Sequence, residues 1–216
     1  MSKMINVLSI VLFIITTLFI TNITTQNTII NPPTYISLKH NFSNFQQEQK
    51  YYCVPASIKS IISYINNNDL LSQDELANEM KTNNETLMVN AIPILNKHIN
   101  LQLHPNFLEY QNYVLEQNFG KKDEQKLWLQ NLVKLSLKND IPVILGIKVS
   151  PPWWLNSQVK HVVIIIAILI DDNPDETIYY VSDAFDRTTN KTFTGHNLIN
   201  MFTIASANLG AIATPL

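Results

Sequence analysis

The sequence predicts one α+β domain behind an apolar N-terminal segment. Apolar residues recur at helical spacing through the first half of the chain, whereas the second half carries short β-branched runs separated by polar turns. Helices and strands that are segregated, rather than alternating, define the α+β class and an antiparallel sheet. Size agrees: 216 residues, 46% of them hydrophobic, are enough for one buried core and too few for a multidomain enzyme or a transporter.

Charge and cysteine content narrow the function classes. The 15 basic and 17 acidic residues nearly balance, so no basic field attracts phosphates and nucleic acid is not an expected partner. The single cysteine, Cys53, excludes an intramolecular disulfide and a Cys-based zinc ribbon.

Taken in chain order, residues 1–25 hold Lys3 and then an apolar run from Ile5 to Ile20. A run of this length lies at the upper edge of a signal-peptide core and just short of the ~20 residues that span a bilayer as a helix. A cleaved signal peptide and an uncleaved membrane anchor therefore both stay open, and either places the domain outside the cell membrane. Residues 26–43 are polar and marked by Pro32-Pro33, which suits a linker or an extended lead-in strand; residues 44–216 form the domain. Ile58, Ile61, Ile62 and Ile65 make one stripe on a helix from Pro55 to Ile65, ended by Asn66-Asn67-Asn68. Ser72-x-x-Glu75 reads as a capping box opening a helix through Lys81. Leu87, Met88, Ala91 and Leu95 mark a third helix over Glu85–His98, with Pro93 placed to bend or split it. Leu127, Trp128, Leu132 and Leu135 give a fourth stripe over Asp123–Lys138.

The period then changes. Ile141–Val149, His161–Ile170 and Thr177–Ser182 read as strands, the last two joined by the polar turn Asp171–Glu176. That turn lacks the glycine and spacing of a calcium loop, and no metal or cofactor is expected. Unbroken Val/Ile runs imply strands covered on both faces, by helices on one side and by another layer or loop on the other.

Cys53 stands just ahead of Pro55, a residue suited to a first helical turn, which places the sulfur at the amino end of the Pro55–Ile65 helix. Free backbone N–H groups and the helix dipole favour a thiolate there, and the thiolate is the nucleophile. His161 opens the strongest strand and is the candidate base; His40, His98, His104 and His196 lie in polar, loop or helix-end contexts. Asp183, at the end of the next strand, can orient the imidazole through its second nitrogen, with Asp186 as the alternative. Trp153-Trp154, ahead of His161, either flank a cleft or pack on the core.

The segment Gln47-Glu-Gln-Lys-Tyr-Tyr-Cys53-Val-Pro-Ala-Ser57, with His161-Val-Val-Ile-Ile, Tyr180-Val-Ser-Asp183, Ser72-Gln73-Asp-Glu-Leu76-Ala77 and Ile141-Pro142-Val143, resembles the double-glycine-leader (bacteriocin-processing) peptidase-like family of papain-like cysteine peptidases. The resemblance runs from about Asn44 to Phe202. It implies the papain-like fold, in which a helical half carrying the nucleophile packs on an antiparallel sheet carrying His and Asp. It also implies roles: Cys53 attacks, His161 is the base, Asp183 orients it and Gln47 helps form the oxyanion hole. One position departs from the family pattern, which has Gly directly after the Cys where this chain has Val54. No transporter half follows, so a stand-alone peptidase is expected, without carrying over the double-glycine specificity. The expected activity is hydrolysis of peptide or protein substrates; acyl transfer by the same four residues and an inactive peptide-binding module are the alternatives.

Overall fold

The computed structural model describes residues 32–68, 71–100, 110, 112–114, 121–147, 161–185, 191–197 and 208–210. They belong, from Pro33 onward, to one compact unit, Pro33–Leu216. Among the described residues its longer helices are α1 (Cys53–Asn66), α2 (Gln73–Glu79), α3 (Met88–His98) and α4 (Lys122–Lys138). Its strands are β1 (Thr34–Ser37), β2 (Asn112–Val114), β3 (Val143–Ile147), β4 (His161–Ile170), β5 (Ile178–Asp183), β6 (Lys191–Thr194) and β7 (Asn208–Gly210). No helix among the described residues is long and apolar enough to cross a membrane.

All pairings in the sheet are antiparallel, in the order β2-β7-β3-β4-β5-β6, with β1 added to β4. The ten-residue β4 is the spine. One of its edges is shared in succession by β3, against His161–Ile165, and β1, against Ala167–Ile170; the other edge takes β5. Its side chains alternate between two cores. Val163 and Ile165 join Leu129, Leu132, Val133 and Leu137 of α4, while Val162 and Ile164 join Val54, Ile58, Ile61 and Ile65 of α1 with residues of α2 and α3. The second layer left open by the sequence is therefore helix α4, and helices cover both faces. Ile168 returns to the α4 side although strict alternation from Ile165 would send it to the other face. The cause is a bulge between Ile165 and Ala167, where one extra residue inverts the parity.

The local signals mostly act as expected. Asn67 ends α1 in the left-handed region (φ 52°), its N–H donating to Ser63 O and Tyr64 O. The Ser72/Glu75 capping box is present in both directions. Four details differ. Helix α1 begins two residues before Pro55, which the first turn tolerates because a first-turn N–H has no helical acceptor. Helix α2 stops at Glu79 rather than Lys81, which adopts φ 54°. Helix α3 begins at Met88 and runs unbroken through Pro93, which lies on its exposed side where water can take the carbonyl that proline leaves unpaired. Helix α4 buries Leu129, Leu132, Val133 and Leu137, while the expected stripe members Leu127 and Leu135 are 51% and 37% exposed.

Candidate active site

The site is assembled from α1, the segment leading into it, and the ends of β4 and β5. Cys53 is the first residue of α1 and is half-buried. Ahead of it, Tyr52 N–H donates to Gln49 O at 3.1 Å, closing a tight turn, and the first helical bond is Ala56 N–H to Tyr52 O at 2.9 Å. The N–H groups of Cys53 and Val54 thus have no intrahelical acceptor, the ordinary condition of a helix start. Val54 turns inward: it is 2% exposed and packs with Ile58 and Ile61, so its side chain lies in the core.

His161 is the first residue of β4 and Asp183 the last of β5. Asp183 pairs with Val163, and His161 precedes Val163 by one full pleat, so the two side chains are diagonal neighbours on one face. His161 Nε2–H donates to Asp183 Oδ1 at 2.6 Å, and both residues are buried. A carboxylate oxygen can only accept here, which fixes the proton on Nε2 and leaves Nδ1 for the second partner of the ring. Cys53 lies close enough to act on the same ring, raising the imidazole pKa together with Asp183. Asp183 Oδ1 also accepts Phe185 N–H at 2.9 Å, which holds the carboxylate. Burial pulls the imidazole pKa down, but the bonds to Asp183 and Cys53 and their charges outweigh it and raise the pKa from 6.5 to about 9. The structure thus joins Cys53, His161 and Asp183, distant in sequence, into one connected row. Asp186, and the Trp153-Trp154 pair, lie outside the described residues.

Gln47 lies in the same neighbourhood, its N–H donating to Ala184 O at 2.8 Å, next to Asp183. Its side-chain Nε2 donates to Gln49 O and Lys50 O, each at 3.2 Å, the carbonyls of the turn that leads into Cys53. Three residues not assigned to the site from sequence also converge on this segment. Asn44 Nδ2 donates to Asp183 O at 2.8 Å, Phe45 N–H donates to Ser60 Oγ at 3.1 Å, and the Gln73 amide bonds the backbone of Gln46 and Glu48. Only Gln73 carried a signal, as part of the Ser-Gln-x-x-Leu-Ala helix; Asn44 and Ser60 are single polar residues of a kind common along this chain. Among the described residues no group of three or more His, Cys, Asp or Glu side chains could hold a metal ion.

A helix that begins with the cysteine, packed on an antiparallel sheet that carries the histidine and aspartate at adjacent strand ends, is the architecture of papain-like cysteine peptidases. The model of the Peptidase_C39 like family matches residues 39–205, and the chain belongs to that family. Among solved structures, it is similar to a Bacillus anthracis protein designated a C39-like peptidase, with a TM-score of 0.53 and 14% identity over 84% of this chain and 99% of that one. It is also similar to UfSP from C. elegans, with a TM-score of 0.50 and 12% identity over 90% of this chain and 37% of that one. A search of curated protein sequences finds no match.

Proposed function

We propose that the protein is an exported cysteine peptidase that hydrolyses peptide bonds with Cys53, His161, Asp183 and Gln47. The observation that carries this reading is the row Cys53–His161–Asp183, in which His161 is bonded to a fully buried carboxylate on one side and acted on by the half-buried Cys53. His161 takes the proton of Cys53 as the nucleophile forms, and its raised pKa suits the imidazole to hold that proton. The thiolate adds to the substrate carbonyl, forming the S–C bond and moving the π electrons onto oxygen. The backbone N–H of Cys53 and the Gln47 amide stabilise that oxyanion, for which Gln47 exchanges one of its two long bonds within the turn. The tetrahedral intermediate collapses, the C–N bond breaks, and His161 gives its proton to the leaving amine. Water then attacks the thioester with His161 as base, releasing the acid and restoring Cys53. Residues 1–25, as signal peptide or membrane anchor, deliver the enzyme to the outer side of the membrane.

The test is labelling of the full-length chain with an electrophilic thiol probe, followed by cleavage of a broad peptide library. Labelling at Cys53 that depends on His161, together with cleavage that Cys53→Ala abolishes, is the expected result. Labelling without any cleavage would replace hydrolysis by acyl transfer or peptide binding. Absence of His161-dependent labelling would overturn the reading.

A further inference from the structure

We propose that Gln73, on α2, is the positioning residue of the oxyanion site, acting through Gln47; this rests on the role of Gln47 proposed above. Gln73 is 1% exposed, and both ends of its amide are used. Its Oε1 accepts Glu48 N–H at 3.0 Å and its Nε2 donates to Gln46 O at 2.7 Å. In an extended backbone the carbonyl of the preceding residue and the N–H of the following one point to the same side, and the residue's own N–H points to the other. The Gln73 amide therefore meets the segment as a neighbouring strand would, one bond on each side of Gln47. On the opposite side Gln47 N–H is held by Ala184 O, at the end of β5 beside Asp183. Gln47 is thus gripped between α2 and the strand end that carries the orienting carboxylate, so the direction of its side chain is set from two sides.

Two further features show that the first turn of α2 serves this segment. Asp74, the next residue, accepts the Tyr52 hydroxyl at 2.9 Å, so the same turn fixes both ends of the stretch from Gln46 to Tyr52, immediately before Cys53. The turn is itself secured by the Ser72/Glu75 capping box. A buried glutamine packed in a core for volume alone has no need to place both amide ends on backbone groups that flank one residue. Oxyanion donors must lie about 2.7–3.1 Å from the charge they meet, so a residue that fixes the backbone of the donor controls the rate without touching substrate.

Two reagents separate this role from nucleophile activation. Acylation by p-nitrophenyl acetate passes through an oxyanion: the Cys53 sulfur bonds the acetyl carbon, the ester C–O bond breaks and p-nitrophenolate leaves. Alkylation by iodoacetamide displaces iodide from carbon and forms no oxyanion. In full-length Gln73→Met, which keeps the volume and loses both bonds, acylation is expected to fall about tenfold or more while alkylation stays within about twofold of wild type. The loss is expected to vanish in a Gln47→Ala background, the coupling that a merely structural role would not produce. Gln73→Glu, which keeps the acceptor for Glu48 N–H and loses the donor to Gln46 O, is expected to follow the same pattern and serves where the methionine variant does not fold. Wild-type acylation in either variant would overturn the role of Gln73 alone, as would equal losses with both reagents or in both backgrounds. A wild-type protein that is alkylated at Cys53 but not acylated would overturn the peptidase reading, and this role with it.

Discussion

Two opposing influences act on the imidazole of His161, and their balance makes the site testable by pH. Burial favours the neutral ring, Asp183 and Cys53 favour the cation, and the cation prevails, with a pKa of about 9. Peptidase activity is therefore expected to fall on an alkaline limb near pH 9, where His161 loses the proton it must give to the leaving amine. Asp183→Asn removes a raising influence, so the limb is expected to move to lower pH and kcat to drop tenfold or more, roughly the scale of general acid–base effects. The same shift is linked to stability. The folded pKa lies above the 6.5 of the free side chain, so the stabilisation is fully present below pH 6.5 and is lost as pH rises through about 9. Urea titrations of wild type and His161→Ala at pH 6 and pH 10 check this: the gap between them should narrow at the higher pH. Val54 is the other residue whose surroundings decide an outcome. Its side chain lies in the core rather than at the mouth of the site, so Val54→Gly, which restores the family residue, is expected to destabilise the fold by about 3 kcal/mol. That figure combines a lost buried valine with a glycine in a helix. Alkylation of Cys53, measured well below the melting temperature, is expected to be unchanged; a faster rate would mean that Val54 does obstruct the sulfur.

Elements were legible in the sequence where one local signal settled the conformation. The β-branched run His161–Ile170 is strand β4 to the residue, and the capping box sets the start of α2, because each depends on near neighbours alone. The sequence pattern sets helix α4 within one residue but not its buried face: Leu127-Trp128-Leu132-Leu135 and Leu129-Leu132-Val133-Leu137 are both apolar at helical spacing, and only the sheet chooses between them. Strands β2, β6 and β7, of three or four residues, have no pattern long enough to register. The site divides in the same way. Cys53 at a helix start and His161 and Asp183 at strand ends can be read from element boundaries, whereas the bonds from Gln73 and Asn44 join segments that no local period relates. Element ends are tied elsewhere by comparable long-range bonds. Tyr64, near the end of α1, donates its hydroxyl to Asp140, which follows α4 in the left-handed region (φ 63°), and Asp140 also accepts Lys39 N–H at 2.8 Å. Burial, and then this carboxylate, raise the tyrosine pKa above its ordinary value of 10. Tyr64→Phe leaves Asp140 with the Lys39 bond and is expected to cost about 1–2 kcal/mol in urea denaturation. Labelling of Cys53, at the opposite end of the helix, should persist; its loss would show that α1 moves as a whole when this tie is cut.

At the scale of the whole unit, the nucleophile and its base come from different layers, so the site exists only while α1 and the sheet are packed together. Strand β4 supports both: it carries His161 at one end, and its Val162 and Ile164 form the floor on which α1 rests. Anything that loosens β4 should then reach the site. Its far half is flanked by β1, residues Thr34–Ser37, which pair with Ala167–Ile170, and Leu38 N–H extends the pairing to Ile166 O in the bulge at 3.1 Å. This gives a truncation experiment with opposite outcomes a few residues apart. A chain beginning at Pro33 retains every described strand, and is expected to fold and to be labelled at Cys53 at the full-length rate. A chain beginning at Leu38 lacks β1 and leaves the Ala167–Ile170 edge without its partner. At about 1 kcal/mol per hydrogen bond lost, its stability should fall by roughly 2–4 kcal/mol, and the bare edge should make it prone to associate. Urea midpoints and sizing chromatography of the two chains provide the check. Equal stability would show that β4 needs no cover there, and that the integrity of the site depends on β3, β5 and α1 alone.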